Sequence, residues 1–513
     1  MHGMIKLNPF FKVLLLLLMT SIYLAPGGFA GVFPWRDVHS SQFKIIEDGA
    51  IESKLRLKLI KNAVHTIDVI DYDIGGDQIL ARPFLEELYQ ASQRGVRVRF
   101  LRGGYLPKIY RKFWREPHWN DPVEEILLRQ PQQNPIQYVF FGGASMLLNG
   151  WSIFAGAHEK LLVIDQDVAL MTGRGLSQIY LNFIDHCLIF KGPLVKDALQ
   201  AFEDLWRVVH EEVSKNLPEP EFSVANSPES HKGAANFSLS LNQKQKRKYA
   251  KLLKWVFAPW QSAEDVDPSE KIQARFIHHD LIDQMRRVCR SVPWIYSMLD
   301  CSGQIQDPLI QEVSDLILGG ASEVKFYTLG LSIHEDLKLA LKARLREAEL
   351  KRRTGIGRDF KLQIFTNGKD AYQEFIFWPV SNLGWYASLR DIDELMQEGA
   401  SIYAFQKNQE SPLVYTHRKG IIVHMADGSQ YSFFGSHNMN RTSTGVNDEM
   451  GVQIKSIQVT DEYDGLYQNA VDRYGIELDA QDIHRQRRWN KIPLMGWERN
   501  PLKWLLGLVE STL

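Results

Sequence analysis

One short stretch decides how this chain folds: Ala157-His-Glu-Lys-Leu-Leu-Val-Ile-Asp165. It returns in altered form as Thr416-His-Arg-Lys-Gly-Ile-Ile-Val423. In each copy a histidine and a lysine stand two residues apart at the start of an apolar strand, and alternate residues of a strand face the same side. The two side chains of each copy therefore project together. A turn, a second strand and a glycine-containing loop follow each copy, and glycine lets a backbone approach a ligand closely.

The copies lie in matching places of a chain that shows a coarse internal repeat. The first half has an amphipathic stretch, a strand, a helical pattern and a second strand, at 51–63, 66–72, 83–95 and 96–101. The second half gives the order helix, strand, helix, strand at 281–289, 294–299, 308–318 and 323–328. Both halves end a helix with glycine just before a strand, at Gly95 and at Gly319-Gly320. Strands that alternate with helices predict an α/β layered fold.

The N-terminus has the pattern of a secretory signal peptide over residues 1–30. Lys6 and Lys12 precede an apolar run from 13 to 24, and Gly28 and Ala30 fit the cleavage rule. The run is short for a membrane span, which needs about 20 residues. A cleaved signal is the favoured interpretation, with an uncleaved anchor as the alternative. We expect an exported protein, periplasmic or associated with the cell envelope.

Composition divides the remainder into four segments. A first half covers 31–213, a polar linker with one helix near 243–256 covers 214–268, and a second half covers 269–480. The tail, 481–513, is basic and rich in Trp and Leu. That composition fits a helix lying in a membrane interface, and it also fits a terminal helix that covers a core face. The sequence leaves both interpretations of the tail open.

The overall charge argues against a generic nucleic-acid binder. The 513 residues contain 60 Lys and Arg against 61 Asp and Glu, which gives a net charge of -1. Nucleic-acid binders are more often basic overall. The 44% hydrophobic and 24% charged residues are ordinary for a globular protein and exclude a wholly disordered, collagenous or coiled-coil chain.

Two histidine–lysine pairs are suited to the cleavage of a phosphodiester. One imidazole attacks phosphorus while another, on the opposite face, protonates the leaving oxygen. Two lysine ammonium groups stabilise charge on the non-bridging oxygens, and no metal is required. A single His-x-Lys pair is weak evidence, because most such pairs lie on surface strands. Two such pairs in matching places of two repeats are strong evidence of a site for phosphodiester chemistry.

These residues resemble the phospholipase D superfamily, with its duplicated His-x-Lys-x4-Asp pattern. Within it, the chain is most similar to the bacterial cardiolipin synthase and phospholipase D-like branch, over nearly the whole mature length. The loops 435–443 and 447–451 resemble that branch's second-site loop, and the residues from Thr172-Gly-Arg through Gly192-Pro193 resemble its first-site loop. The ending 504–510 resembles its Trp- and Leu-rich tail.

The resemblance implies an α/β fold of two homologous halves. Each is a mixed β-sheet flanked by helices, and they pack with pseudo-two-fold symmetry around one active site. It implies that His158 forms a phosphohistidine intermediate and that His417 is first the general acid, then the base. The remaining implied site residues hold phosphate oxygens (Lys160, Lys419, Asn438), complete the first motif (Asp165) or orient the histidines (Asp185, Glu449). No cofactor or metal is implied. The expected partners are a phospholipid substrate at a membrane surface and water or an alcohol as acceptor.

The sequence departs from the family pattern in two places. Gly175 stands where the first loop usually has Asn, and Asn182 or Ser177 either replaces that amide or is merely structural. His424 occupies the position of the second motif Asp. Counted back from the second loop, Asp427 lies within one residue of the place that Asp165 holds. Asp427 is then either a displaced motif residue or part of an Asp-Gly hairpin turn.

Three functions are compatible with these features. The favoured one is phosphatidyl transfer or hydrolysis on phospholipids. The second is an exported nuclease of the same superfamily, whose groove should be basic along its length. The third is a degenerate lipid-binding protein without turnover, which Gly175 and His424 suggest but the two intact His-x-Lys pairs oppose.

Overall fold

The computed structural model describes residues 31–72, 74–75, 79–103, 123, 126, 135–141, 156–216, 240–258, 271–279, 307–369, 371, 380–407, 413, 415–439 and 447–494. The predicted signal peptide, the predicted elements at 281–299 and the last residues of the tail lie outside these ranges. Among the residues described, no helix is both long and apolar enough to cross a membrane.

Twenty strands are described. The first eleven are β1 Gly31–Val32, β2 Arg36–His39, β3 Phe43–Ile46, β4 Thr66–Asp71, β5 Arg97–Arg102, β6 Gln137–Phe140, β7 Gly156–Ala157, β8 Leu161–Ile164, β9 Val168–Thr172, β10 Phe183–Ile184 and β11 Cys187–Lys191. The others are β12 Lys271–His279, β13 Ala321–Tyr327, β14 Lys361–Asn367, β15 Ser401–Phe405, β16 Tyr415–Thr416, β17 Gly420–Met425, β18 Gln430–Gly435, β19 Asn447–Lys455 and β20 Gly475–Glu477.

The described helices flank the sheets. They are α1 Gly49–Asn62, α2 Ala81–Gln93, α3 Pro193–Asn216, α4 Gln243–Val256, α5 Pro308–Gly320, α6 Glu335–Thr354, α7 Val380–Gln397, α8 Ile457–Tyr474 and α9 Ala480–Leu494. Side-chain caps begin several of them. The carboxylates of Asp48 and Asp307, for example, accept backbone N–H groups at the starts of α1 and α5.

The two halves share one sheet topology. The first sheet has the order β3-β11-β9-β8-β4-β5-β6, and the second contains the order β12-β19-β18-β17-β13-β14-β15. Every corresponding pair of neighbours has the same sense: two parallel pairings at one end and antiparallel pairings elsewhere. The predicted fold class, two homologous halves with mixed sheets, is confirmed.

The repeat predicted from the sequence matched the wrong helices of the two halves. It aligned the helix that ends at Gly95 with the helix that ends at Gly319-Gly320. In the structure, β13 follows the second of these helices and pairs with β17, just as β4 pairs with β8. The helix α5 therefore corresponds to α1 rather than to α2. A helix followed by a strand recurs several times in each half, so the pattern alone cannot show which helix of one half corresponds to which helix of the other.

Elements near two predicted boundaries contact the second half. The strands β1 and β2, assigned to the first half, pair with β12 in the second sheet. The helix α9, assigned to the tail, packs against α7, and its Ile483 is buried in the core of the second half. The described start of the tail is thus core structure, whereas residues 495–513 lie outside the description. The linker helix is α4, at the predicted residues.

A continuous apolar core joins the halves. Each sheet has its own core on one side. Between the sheets, α3 contributes Leu194, Val195 and Phe202, and these lie in one cluster with Phe276 of β12 and Tyr463 of α8. This shared core fixes the two sheets against each other, so residues from both halves can form one site.

Candidate active site

Two short parallel pairings place the histidines across the boundary between the halves. Ala157 of β7 lies opposite Asp448 of β19, and Thr416 of β16 lies opposite Ile184 of β10. One residue further along each strand, a histidine of one half meets a carboxylate of the other. The backbone N–H of His417 also donates to the Ile184 carbonyl at 2.8 Å.

His158 pairs with Glu449. Its Nδ1 lies 3.0 Å and 3.1 Å from the two carboxylate oxygens, and both residues are buried. The Ser436 hydroxyl donates to the same carboxylate. An ionised carboxylate only accepts hydrogen bonds, so the proton of a neutral His158 stays on Nδ1. Its Nε2 then carries a free lone pair suited to nucleophilic attack.

His417 pairs with Asp185 in the same way, with Nδ1 2.9 Å from Oδ2. The other oxygen, Oδ1, accepts the backbone N–H of His186 at 2.8 Å. Gly173 leaves room for this carboxylate, since a Cβ there would lie 2.5 Å from Oδ1. The rings of Tyr180 and Phe183 pack against the imidazole, with centroid distances of 5.3 Å and 5.9 Å.

The two lysines lie beside their histidines. Lys160 Nζ donates to the His158 carbonyl at 2.7 Å and lies 5.1 Å from the centre of the Tyr72 ring. Lys419 Nζ donates to the His417 carbonyl at 2.8 Å and lies 2.9 Å and 3.0 Å from the two ring nitrogens. Both lysines are buried. Their positive charges are thus concentrated where an anionic group would enter.

Burial and charge keep both imidazoles neutral near pH 7. Burial lowers the pKa of His158 to about 4, and Lys160 and Lys419 also lower it, against the opposing effect of Glu449. Burial lowers the pKa of His417 to about 3, and both lysines contribute, against the effect of Asp185. Each histidine is therefore affected by the lysine of the other half. All four groups belong to one site.

The carboxylates are ionised. Burial raises the pKa of Glu449, but His158, His437 and the Ser436 hydroxyl outweigh it and hold the value at about 2. Burial also raises the pKa of Asp185, yet the hydrogen bond from His417 and nearby cations keep it well below its usual range. Burial lowers the pKa of Lys419 to about 7. The lysine of the second motif is therefore poised to lose its charge near neutral pH.

The chain is similar to a known family and to solved structures. The family described as cardiolipin synthase, phospholipase D-like domain, matches residues 354–470, which contain the second histidine, its lysine and Glu449. The crystal structure of phosphatidylserine synthase from Haemophilus influenzae aligns with 94% of this chain and 98% of that chain, with a TM-score of 0.61 and 13% sequence identity. Residues 354–470 thus match a phospholipase D-like domain, and the fold of the whole chain is similar to that of phosphatidylserine synthase.

Two further matches are partial. An uncharacterized protein from Helicobacter pylori is 26% identical over 171 residues, 32% of this chain and 33% of the relative. The match thus spans about a third of that relative's length. NucT from Helicobacter pylori aligns over 34% of this chain and 97% of that chain, with 12% identity and a TM-score of 0.25.

The structure brings most of the predicted site residues together. The two histidines, the two lysines, Asp185 and Glu449 form the cluster described above. Asn438 is buried in the loop after β18, where its carbonyl accepts the Thr328 hydroxyl at 3.0 Å. At the Gly175 position of the first loop, neither suggested substitute hydrogen-bonds through its side chain to a described residue. Asn182 is exposed and Ser177 is half-buried.

Asp165, predicted as a catalytic residue from the superfamily motif, does not reach the site. It lies five residues beyond Lys160, about 16 Å along a strand at 3.3 Å per residue. Its carboxylate accepts the backbone N–H groups of Val64, His65 and Thr66 at 2.6–3.2 Å. The motif aspartate of the first half therefore holds the connection between α1 and β4.

The same connection explains why the second half lacks its motif aspartate. There α5 ends at Gly320 and β13 begins at Ala321, so no intervening residues expose N–H groups that need an acceptor. His424 instead pairs with Glu323 in the sheet. Asp427 is exposed and accepts from the Ser429 N–H and hydroxyl at 2.9 Å and 2.7 Å. The hypothesis of a displaced motif Asp is wrong, and Asp427 belongs to a hairpin turn.

Sequence reasoning missed several supporting residues. The Asn367 amide donates to the Thr416 carbonyl at 2.7 Å and accepts the Thr416 N–H at 2.8 Å, which fixes the strand before His417. His437 Nε2 lies 2.5 Å from Asp307 Oδ2, and its Nδ1 accepts the Met439 N–H. The sequence signal for His437 was its place in the Gly-Ser-His-Asn loop, whereas Asn367 carried none.

Proposed function

We propose that this protein is an exported phosphodiester-cleaving enzyme that acts on phospholipids, by phosphatidyl transfer or hydrolysis, through a phosphohistidine intermediate. One observation carries the proposal: two neutral imidazoles, each oriented by a carboxylate of the other half, face a site with two buried lysines. The signal-like residues 1–30 are the basis for proposing export.

The reaction proceeds in two balanced steps. In the first, His158 Nε2 forms a bond to phosphorus while the bond from phosphorus to the leaving oxygen breaks. That oxygen takes a proton from protonated His417. In the second, neutral His417 takes a proton from water or an alcohol, and the resulting oxygen bonds to phosphorus as the phosphorus–nitrogen bond breaks. His417 ends the cycle protonated again.

Substrate binding provides the acid form of His417. In the free protein, burial and the lysine charges keep this imidazole neutral. A phosphodiester carries a negative charge, and an opposite charge nearby raises the pKa of an imidazole. Held by Lys160 and Lys419, the phosphate offsets the lowering effect of their charges on the pKa of His417. The acid therefore forms where the leaving group needs it.

Two arguments support a lipid substrate. The family matched by residues 354–470 is described as a cardiolipin synthase domain, and an exported protein meets phospholipid headgroups. The acceptor decides between the two outcomes. Water at the second step gives phosphatidic acid, and an alcohol gives a new phosphatidyl ester.

Incubation of the purified full-length protein with phosphatidylglycerol vesicles, with and without added alcohol, tests the proposal. We expect phosphatidic acid, a phosphatidyl-alcohol, or cardiolipin from a second phosphatidylglycerol molecule, and none of these from a His158→Ala control. Because histidine is the nucleophile, activity should persist in EDTA. Loss of activity in EDTA, restored by a divalent cation, contradicts this chemistry.

A parallel incubation with a single-stranded DNA oligonucleotide separates the nuclease alternative. Cleavage of the oligonucleotide with no turnover of lipid replaces the phospholipid proposal with a nuclease. Absence of turnover on both substrates, together with binding to lipid, identifies a non-catalytic lipid-binding protein.

A further inference from the structure

The helix α4 is fixed to the first half by one side. Val256 is buried, and Tyr249, Leu252 and Leu253 pack against the core of that half. The Tyr249 hydroxyl donates to the Lys54 carbonyl at 3.1 Å. The Gln245 amide donates to the Asp48 carboxylate at 2.7 Å. These contacts on one side leave the opposite side of the helix facing outward in a defined orientation.

The outward side is a cluster of cations. Lys244, Arg247, Lys248 and Lys251 follow the spacing i, i+3, i+4, i+7, which places them on one helix face, and all are exposed. We call them the α4 basic face. The helix contains six basic residues and no acidic one. Within the described ranges, none of the four forms an ion pair, although the chain as a whole has a net charge of -1.

The basic face borders a groove between the halves with a volume of about 1020 Å³. Lys44 and Arg473 extend its cationic rim, and both are exposed. Apolar side chains that include Leu181, Phe183 and Leu466 line the groove. It therefore combines cations at the edge with apolar surface inside.

The four acidic residues that line the groove offset its cations only in part, since five basic residues line it and Lys244 and Arg247 lie beside it. The Glu47 carboxylate accepts from Arg418, Asp48 caps α1 and binds Gln245, and Asp185 binds His417. Glu462 is the remaining acidic residue among those that line the groove. The surface that runs from the α4 basic face to Arg473 thus carries a local excess of positive charge.

We propose that the α4 basic face and the rim of this groove dock the protein on an anionic phospholipid bilayer. Basic residues on a helix are attracted to acidic headgroups, and the apolar groove beside them suits acyl chains better than a sugar–phosphate backbone. Trp255, half-buried at the end of α4 and part of the groove, is a residue type that favours the membrane–water interface. The inference concerns attachment and goes beyond the proposed reaction.

Co-sedimentation of the full-length protein with vesicles tests this docking. The measured quantity is the ratio of affinities for phosphatidylcholine vesicles with and without phosphatidylglycerol. The test variant is Lys244→Gln, Arg247→Gln, Lys248→Gln and Lys251→Gln combined, since glutamine removes the charge and keeps helix propensity. Each basic residue near an anionic surface contributes about fivefold in affinity. For four residues we expect the ratio to fall roughly 600-fold.

A matched variant removes four cations of another helix, α6: Arg346→Gln, Lys351→Gln, Arg352→Gln and Arg353→Gln. These residues pair with acidic neighbours, so we expect wild-type vesicle binding. Equal loss in both variants, or an unchanged ratio in the α4 variant, overturns the proposal. So does α4-dependent binding of a DNA oligonucleotide without a vesicle effect.

Catalysis and docking are measured separately. His158→Ala should bind anionic vesicles like the wild type. The α4 variant should still cleave a water-soluble phosphodiester, because none of the four residues contacts the histidine site. A fall in its melting temperature, with parallel loss of that soluble activity, attributes the vesicle effect to unfolding and contradicts the proposal.

Discussion

The surroundings of His158 and of His417 follow one plan with different supporting residues. In both, the histidine follows a two-residue strand that pairs with the other half. The histidine Nδ1 is hydrogen-bonded to a carboxylate of that other half, which lies two residues before the point where its chain pairs with the neighbouring strand. At matching loop positions, however, Ser436 donates a hydroxyl to Glu449, whereas Gly173 leaves the space that Asp185 fills. The catalytic geometry is retained while the support is exchanged.

The difference teaches which parts of the motif serve chemistry and which serve folding. The histidines, lysines and carboxylates occur in both halves. The motif aspartate occurs only where three residues separate a helix from the central strand, at residues 63–65. Loss of the motif aspartate is therefore no sign of a degenerate site here. In the second half the helix leads directly into the central strand, so no connecting N–H groups need an aspartate as acceptor.

The histidines should give the largest effects. His158→Ala and His417→Ala should each lower kcat by ~10⁴-fold or more, since groups that act as one unit fail together. A phosphodiester with a good leaving group separates their roles. In the first turnover His417→Ala should then still form covalently labelled protein, with a label that survives alkali and is lost in acid, because the leaving group needs no acid. His158→Ala should form no labelled protein. The reverse labelling pattern exchanges the two assignments.

The orienting carboxylates should come next. Asp185→Asn and Glu449→Gln should each lower kcat by roughly 10³-fold, because an amide can donate to Nδ1 and so favour the wrong tautomer. KM should change little, since neither carboxylate is placed to hold phosphate. Steady-state kinetics at constant pH measures both constants. A variant that raises KM with kcat intact places that carboxylate in substrate binding instead.

The charge of Lys419 should set the alkaline limb of the pH profile. Lys419 has a pKa lowered to about 7 by burial, so its positive charge is lost as the pH rises through 7 and kcat/KM should fall there. Lys419→Arg keeps its charge and should move this alkaline limb to higher pH. The matched variant Lys160→Arg should leave the limb in place. If the alkaline limb stays at the same pH in Lys419→Arg, the limb belongs to another group.

The two turn aspartates should give the smallest effects, visible in stability rather than in catalysis. Asp165→Ala removes the acceptor of three backbone N–H groups and should cost about 1–2 kcal/mol, as loss of a helix cap does. Asp427→Ala removes an exposed turn contact and should leave the melting temperature unchanged. Thermal unfolding measures both. If Asp165→Ala kept its stability and lost turnover, Asp165 would have a catalytic role after all.

The sequence by itself determined the class of fold and indicated the chemistry that we propose. The His-x-Lys pairs are local, because the period of a strand puts both side chains on one face, and their duplication indicates two similar halves. Asp185 and Glu449 were also found from the sequence, through the resemblance of the two loops to the family. The helix at 243–256 was readable from its own pattern of apolar and basic residues.

Only the tertiary structure decided which carboxylate meets which histidine. That pairing depends on the register of β7 with β19 and of β10 with β16, contacts between residues about 230–290 positions apart in the chain. The role of Asp165 was equally hidden, since its partners are backbone N–H groups about 100 positions away. Backbone groups leave no trace in a sequence, and burial, which keeps both imidazoles neutral and Lys419 near its titration point, arises only when the halves pack together.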